Sequence, residues 1–206
     1  KSIPIEHAVY IEPLACAIHG AQQGNIEFQD VVVVAGAGPL GLGILAAAKL
    51  KTPRLLIALD LMDHRLGVAK DCGADIAINP AKVDAIDEVL KLTDGYGCDV
   101  YIEATGHPAA VEQGLRMTRR LGTFVEFSVM RESVTTDWNL IGDAKELTIR
   151  GAHLSPHCYP VAIDWLEKEL LPMEHIVTHQ MELASFQEGI DMIVSGDRSI
   201  KVTLRP

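Results

Sequence analysis

Gly36, Ala37, Gly38, Pro39, Leu40 and Gly41 form a G-x-G-x-x-G run, the pattern in this chain that points most directly to chemistry. It follows four consecutive valines, Val31 to Val34, and opens a stretch rich in Leu and Ala, Leu40 to Leu50. A glycine turn between a buried strand and a helix suits a pyrophosphate. The first glycine permits the tight turn, the second lets the backbone approach the phosphates, and the third lets helix and strand pack closely. Pro39 and Leu40 fall in the first helical turn, where free N–H groups and a partial positive charge face an anion. Asp60 lies 19 positions beyond Gly41 and closes a second apolar run, Leu55 to Leu59. A carboxylate there can accept hydrogen bonds from both hydroxyls of an adenine ribose, which favours NAD. The 2′-phosphate of NADP would face Asp60 and Asp63, a repulsion that His64 and Arg65 partly offset. Two other readings stay open on these residues: a glycine turn with no ligand, and the S-adenosylmethionine loop of a methyltransferase, which the Gly-Pro-Leu-Gly helix start fits less well.

The elements that must position this loop alternate along the chain. The pattern predicts strands at 31–34, 55–59, 75–78, 98–103, 123–127 and 146–150, with helices at 40–50, 63–72, 83–92 and 108–118 between them. Six strands with intervening helices imply an α/β fold, a doubly wound parallel sheet in the order 3-2-1-4-5-6. Residues 6–24 read as a helical lead-in. Residues 159–206 read as a helix, an extended piece (176–181), a second helix (184–194) and a final strand (200–204).

Composition narrows the function classes. With 48% hydrophobic and 22% charged residues in 206, the chain belongs with ordinary globular proteins, and no apolar run reaches the roughly 18 residues of a membrane span. A formal charge of −10 repels phosphate backbones, so no nucleic-acid partner and no membrane partner is expected. The four cysteines, at 16, 72, 98 and 158, form no C-x-x-C pair, which speaks against a structural zinc site and for a reducing, cytoplasmic setting. The chain starts at Lys1 with no signal-peptide pattern, so a preceding segment is expected.

Four stretches taken together, EPLACAIHG (12–20), VVVVAGAGPLGLGILAAAKL (31–50), ALDLMDHRLGVAKDCGAD (58–75) and SGDRSIKVTL (195–204), resemble the zinc-dependent medium-chain alcohol and polyol dehydrogenases, in the branch of sorbitol and threonine dehydrogenases. The resemblance implies three parts: 1–28, the end of a split catalytic domain; 29–152, an NAD-binding Rossmann domain; and 153–206, a segment partly returning to the catalytic domain. It implies a secondary alcohol or short polyol as substrate, oxidised to a ketone by hydride transfer to NAD. Zinc would serve as the Lewis acid in the intact enzyme, with most of its ligands upstream of Lys1, so this chain alone is expected to be inactive. Glu12 matches the glutamate of the family's Glu-Pro motif and is the catalytic and metal-shell candidate. Cys16 and His19, on the same helical face, are expected to be packed or hydrogen-bonded rather than ligating.

By position the resemblance also places Ala104 and Thr105, with Gly106, on the adenosine side of the cofactor. Phe127, Ser128 and Val129 fall beneath the nicotinamide, with Ser128 where glycine is commoner. His153 and Leu154 approach nicotinamide and substrate, and Arg65 lies with Asp60 at the ribose. Leu154-Ser155 replaces the Arg-Tyr of sorbitol dehydrogenases, while the 126–129 and 137–147 stretches are similar to enzymes acting on short sugar alcohols such as erythritol or threitol. His157, Cys158 and Tyr159 are candidates to shape the pocket. A homodimer or homotetramer is expected through the sixth strand, around Leu147 and Ile149, unless Lys145, Glu146 and Arg150 guard that edge. The rival from another class is a non-catalytic dinucleotide-sensing module, which has no use for the Glu-Pro motif.

Overall fold

The structure is a computed structural model describing residues 3–196 and 198–206; Lys1, and Asp197 within the 195–204 stretch, lie outside the described residues. Six parallel strands form one sheet: β1 (Val31–Ala35), β2 (Leu55–Leu59), β3 (Ile76–Ile78), β4 (Cys98–Glu103), β5 (Thr118–Glu126) and β6 (Thr148–Gly151). Their order is β3-β2-β1-β4-β5-β6, the doubly wound order that the alternation predicts. All five residues of β1 are buried, as a central strand covered on both faces requires.

Two apolar clusters fill the two faces. On one, Val32, Val34, Val100, Ile102 and Val125 pack under α2 (Ile11–Gln23), α3 (Pro39–Lys49), α4 (Asp63–Asp71) and α8 (Tyr159–Glu167). On the other, Val31, Val33, Tyr101 and Phe124 pack under α5 (Ala85–Leu92), α6 (Pro108–Met117) and the short α7 (Trp138–Ile141). The tail forms a separate two-stranded parallel sheet of β7 (Val177–Glu182) and β8 (Lys201–Arg205), joined by α10 (Phe186–Ser195) and preceded by α9 (Met173–Ile176).

Several boundaries differ from the sequence expectation, each for a local reason. The lead-in helix 6–24 is two helices, α1 (Ile5–Ala8) and α2. Pro13 has no N–H to give to the carbonyl of Val9, so one continuous helix cannot run through that turn. In the break, fully buried Tyr10 donates its hydroxyl to the Pro39 carbonyl at 2.5 Å and ties the lead-in to the start of α3. The helix expected at 83–92 starts at Ala85 because Asp84 caps it, accepting from the N–H groups of Ile86 (2.9 Å) and Asp87 (3.1 Å). The helix at 108–118 stops at Met117, and Thr118 turns extended and begins β5 five residues before the expected 123. The strand expected at 146–150 runs 148–151, since Glu146 has φ +52° and the N–H groups of Glu146 and Leu147 donate to Gly142 and Ile141 in the preceding loop.

Candidate functional site

At the carboxyl ends of β1 and β4 the sheet reverses its winding, and the crevice between the two departing loops is where such folds take ligands. The glycine run sits there. Gly36 has φ +99° and donates its N–H to Leu59 O at 2.7 Å; a Cβ on it would lie 2.6 Å from Ala104 O. A Cβ on Gly41 would lie 1.7 Å from Gly36 O. These two glycines are imposed by packing. Gly38 differs: it is the N-cap of α3, no side chain caps that helix, and a Cβ on it would meet nothing within 4 Å. The first turn of α3, with Pro39 and half-exposed Leu40, therefore presents uncapped N–H groups above an open cradle.

Asp60 stands just past β2. Its Oδ2 accepts from Ala37 N–H at 2.7 Å and its Oδ1 from Met62 N–H at 2.8 Å, so the carboxylate touches the glycine loop itself. Four and five positions further on, His64 Nε2 and Arg65 Nε are buried with no hydrogen-bond partner among the described residues.

The opposite wall carries two carboxylates that the sequence reading missed. Glu103 is fully buried and accepts from Thr105 N–H (2.7 Å), Thr105 Oγ1 (2.5 Å) and Gly106 N–H (3.1 Å), which fixes the Ala104-Thr105-Gly106 loop against Gly36. Its register partner on β5 is Glu126. Burial first, and the Glu103 carboxylate second, push the Glu126 carboxyl above its ordinary value, and its Oε1 is buried with no hydrogen-bond partner among the described residues. In sequence each is only an acid at the end of a strand, and it is the β4–β5 register that sets the two side by side.

Ser128 donates to Glu103 O at 3.4 Å. Phe127 turns its ring toward α2, close enough that a Cβ on Gly20 would lie 2.8 Å from it. Val129 is 92% exposed and Leu154 59%, and His153 is exposed beside it.

Glu12 lies exposed in the first turn of α2 and accepts the thiol proton of Cys16 at 3.1 Å. Burial and then that bond push the Cys16 thiol up to about 11, which keeps it neutral. The Lys201 ammonium on β8 is held below its ordinary value by burial, against the opposing pull of the Glu12 carboxylate, so head and tail of the chain meet at this residue. Among the described residues no three His, Cys, Asp or Glu side chains are grouped to hold a metal ion. A cavity of about 500 Å³, bordered by Tyr96, Arg116, Arg119, Arg120 and Lys145, lies at the opposite end of the strands from the glycine loop. Three of its cations are committed elsewhere: Arg116 to Glu112, Arg119 to Asp99, and Lys145 to backbone carbonyls.

The family described as zinc-binding dehydrogenase matches residues 39–168. The chain belongs to this family. It is 51% identical over 204 residues to the erythritol/L-threitol dehydrogenase of Mycolicibacterium smegmatis, covering 99% of this chain and 56% of that protein. It is 36% identical to the L-threonine 3-dehydrogenase of Pyrococcus horikoshii, covering 95% and 57%. Among solved structures, an alcohol dehydrogenase of E. coli CFT073 complexed with NADH superposes with a TM-score of 0.86 at 30% identity, covering 99% of this chain and 61% of that one. The chain thus spans less than two thirds of the length of each of these proteins. The family resemblance carried by its four stretches and the doubly wound fold both hold.

Proposed function

We propose that this chain is the cofactor-binding part of an NAD-dependent dehydrogenase that oxidises a secondary alcohol or short polyol to a ketone. The observation that carries the reading is the open cradle at Gly38, beneath an uncapped helix start and beside the Asp60 carboxylate. That set of donors, space and acid fits a dinucleotide pyrophosphate with its adenine ribose. NAD, when bound, would supply the acceptor for the hydride of the carbinol carbon, the hydroxyl proton leaving to solvent. The chain's own residues bind and orient: α3's first turn on the pyrophosphate, Asp60 on the ribose hydroxyls, the 104–106 loop on the adenosine side, and the backbone of Phe127, Ser128 and Val129 under the nicotinamide. Exposed His153 and Leu154 face the substrate side.

Zinc does not find a ligand set within the described residues, where no three His, Cys, Asp or Glu side chains are grouped and Glu12 has Cys16 beside it. No step is therefore routed through it, and Glu12 is assigned to the metal shell of a site completed by residues outside this chain. Residues 1–28 and 153–206 belong on this reading to a catalytic domain that the Rossmann part, 29–152, interrupts. The relative named for erythritol and L-threitol supports a short sugar alcohol as substrate. Four unpaired cysteines support a reducing, cytoplasmic setting.

Titration and turnover test the proposal together. The chain should bind NAD more tightly than NADP, with about 1.5–3 kcal/mol resting on the charged hydrogen bonds of Asp60. It should not oxidise erythritol or threitol until joined to a preceding catalytic domain. Equal or tighter NADP binding removes the ribose assignment, and polyol oxidation by these 206 residues alone removes the division of labour.

A further inference from the structure

The two hydrogen bonds of Asp60 give it a second task. Its Oδ2 holds Ala37 N–H at 2.7 Å across 23 positions of sequence, while its Oδ1 holds Met62 N–H at 2.8 Å on its own side of the crevice. Ala37 lies between the two loop glycines, its side chain fully buried, and its N–H has no other acceptor among the described residues. We propose that Asp60 is a latch for the glycine loop: its carboxylate preforms the pyrophosphate cradle before any ligand arrives, in addition to whatever it accepts from a ribose.

The geometry makes the two tasks compatible. A carboxylate oxygen has about two lone pairs, so each oxygen keeps one for a hydroxyl after accepting an N–H. The N–H groups fix the carboxylate from two sides, which sets the direction in which the free lone pairs point. Removing the carboxylate leaves a buried loop N–H without a partner among the described residues, and the segment that carries Gly38 loses a side-chain tether to the end of β2. Affinity for the pyrophosphate then falls with any dinucleotide, whatever its ribose. Cofactor choice and loop order are thereby coupled: a replacement of Asp60 meant to admit a 2′-phosphate also loosens the cradle that must hold NADP.

The ligand arm rests on the dinucleotide reading above; the loop arm does not. In the free protein, hydrogen–deuterium exchange over 36–41 should be at least about tenfold faster in Asp60→Ala than in the parent, with β1 and β4 unchanged. Asp60→Asn keeps one acceptor oxygen and should fall between them, and it serves if the alanine variant does not fold. In the ligand arm, NAD and an NAD lacking the 2′ and 3′ hydroxyls of its adenine ribose are titrated against parent and variants. The latch predicts that Asp60→Ala weakens both, the dideoxy form by about tenfold or more. Unchanged exchange at 36–41, or unchanged affinity for the dideoxy form, overturns it. Failure of the parent to bind either dinucleotide overturns the proposed function, while the exchange result still decides the latch.

Discussion

A methyl group added at Gly38 and one added at Gly41 separate binding from folding within a single loop. At Gly41 the new carbon would lie 1.7 Å from a backbone oxygen that cannot rotate away, so Gly41→Ala should destabilise by about 2 kcal/mol or more, read by thermal or urea unfolding. At Gly38 it meets nothing, so Gly38→Ala should unfold like the parent yet bind NAD at least about tenfold more weakly, because the methyl fills the cradle. Parent-like affinity in a folded Gly38→Ala would move the pyrophosphate elsewhere. The loop and Asp60 were legible in sequence because their chemistry rests on spacing along one chain. Glu103 and Glu126 were not, because each alone reads as a strand-end acid and only the β4–β5 register sets them side by side. That register has a pH consequence. Glu126 is raised from 4.5 in the folded state, so folding binds its proton; the stability it contributes is complete below that ordinary value and is lost as pH rises through the folded value. Glu126→Gln should remove this loss and be the more stable form at pH 7, with little difference near pH 4. Urea unfolding across that range checks it, and parallel curves for the two proteins would refute the assignment.

Among the elements, α6 shows how a side chain can change what a segment does. Lys145 reads in sequence as a charge guarding the edge of the sheet. In the fold its Nζ instead donates to the carbonyls of Leu115 (2.8 Å), Arg116 (2.5 Å) and Thr118 (2.6 Å), closing the end of α6, and burial holds the ammonium below its ordinary value. Lys145→Met keeps the length of the stem and strips all three bonds from this helix end, where Thr118 donates only to Gly114 O. A loss of about 1–3 kcal/mol is expected in chemical denaturation, and a change below about 0.5 kcal/mol would mean that water replaces the lysine fully. The central strands and long helices were legible because apolar period and turn residues agree there. The four-residue helices α7 and α9 were not, since they are too short to show a period or to be stable without the packing around them. The pairing of β7 with β8 escaped for a related reason: it joins segments separated by a whole helix, and nothing in either strand names its partner.

For the molecule as a whole, the open question that the fold poses is the free side of β6. The strand ends the sheet, and all four of its residues are exposed, with Ile149 at 45%. An edge with unpaired N–H and C=O groups is a template for another strand unless charges or a covering element block it. Two of the three charges expected to block it are diverted: Lys145 to the end of α6, and Arg150, whose guanidinium donates to Gln23 O at 3.4 Å. Glu146 remains, but it precedes the strand in a turn with φ +52°. We expect two copies of β6 to pair across a two-fold axis, so that each supplies the same surface and the two sheets run on as one. Proline at Thr148 or Ile149 removes a backbone donor, and at whichever of the two faces outward it should break the pairing while leaving the β5 side intact. Light scattering on the parent and both proline variants decides the matter: the parent should be at least dimeric at micromolar concentration and one folded variant monomeric. A monomeric parent, or two folded variants that both stay dimeric, would place any association on a different surface.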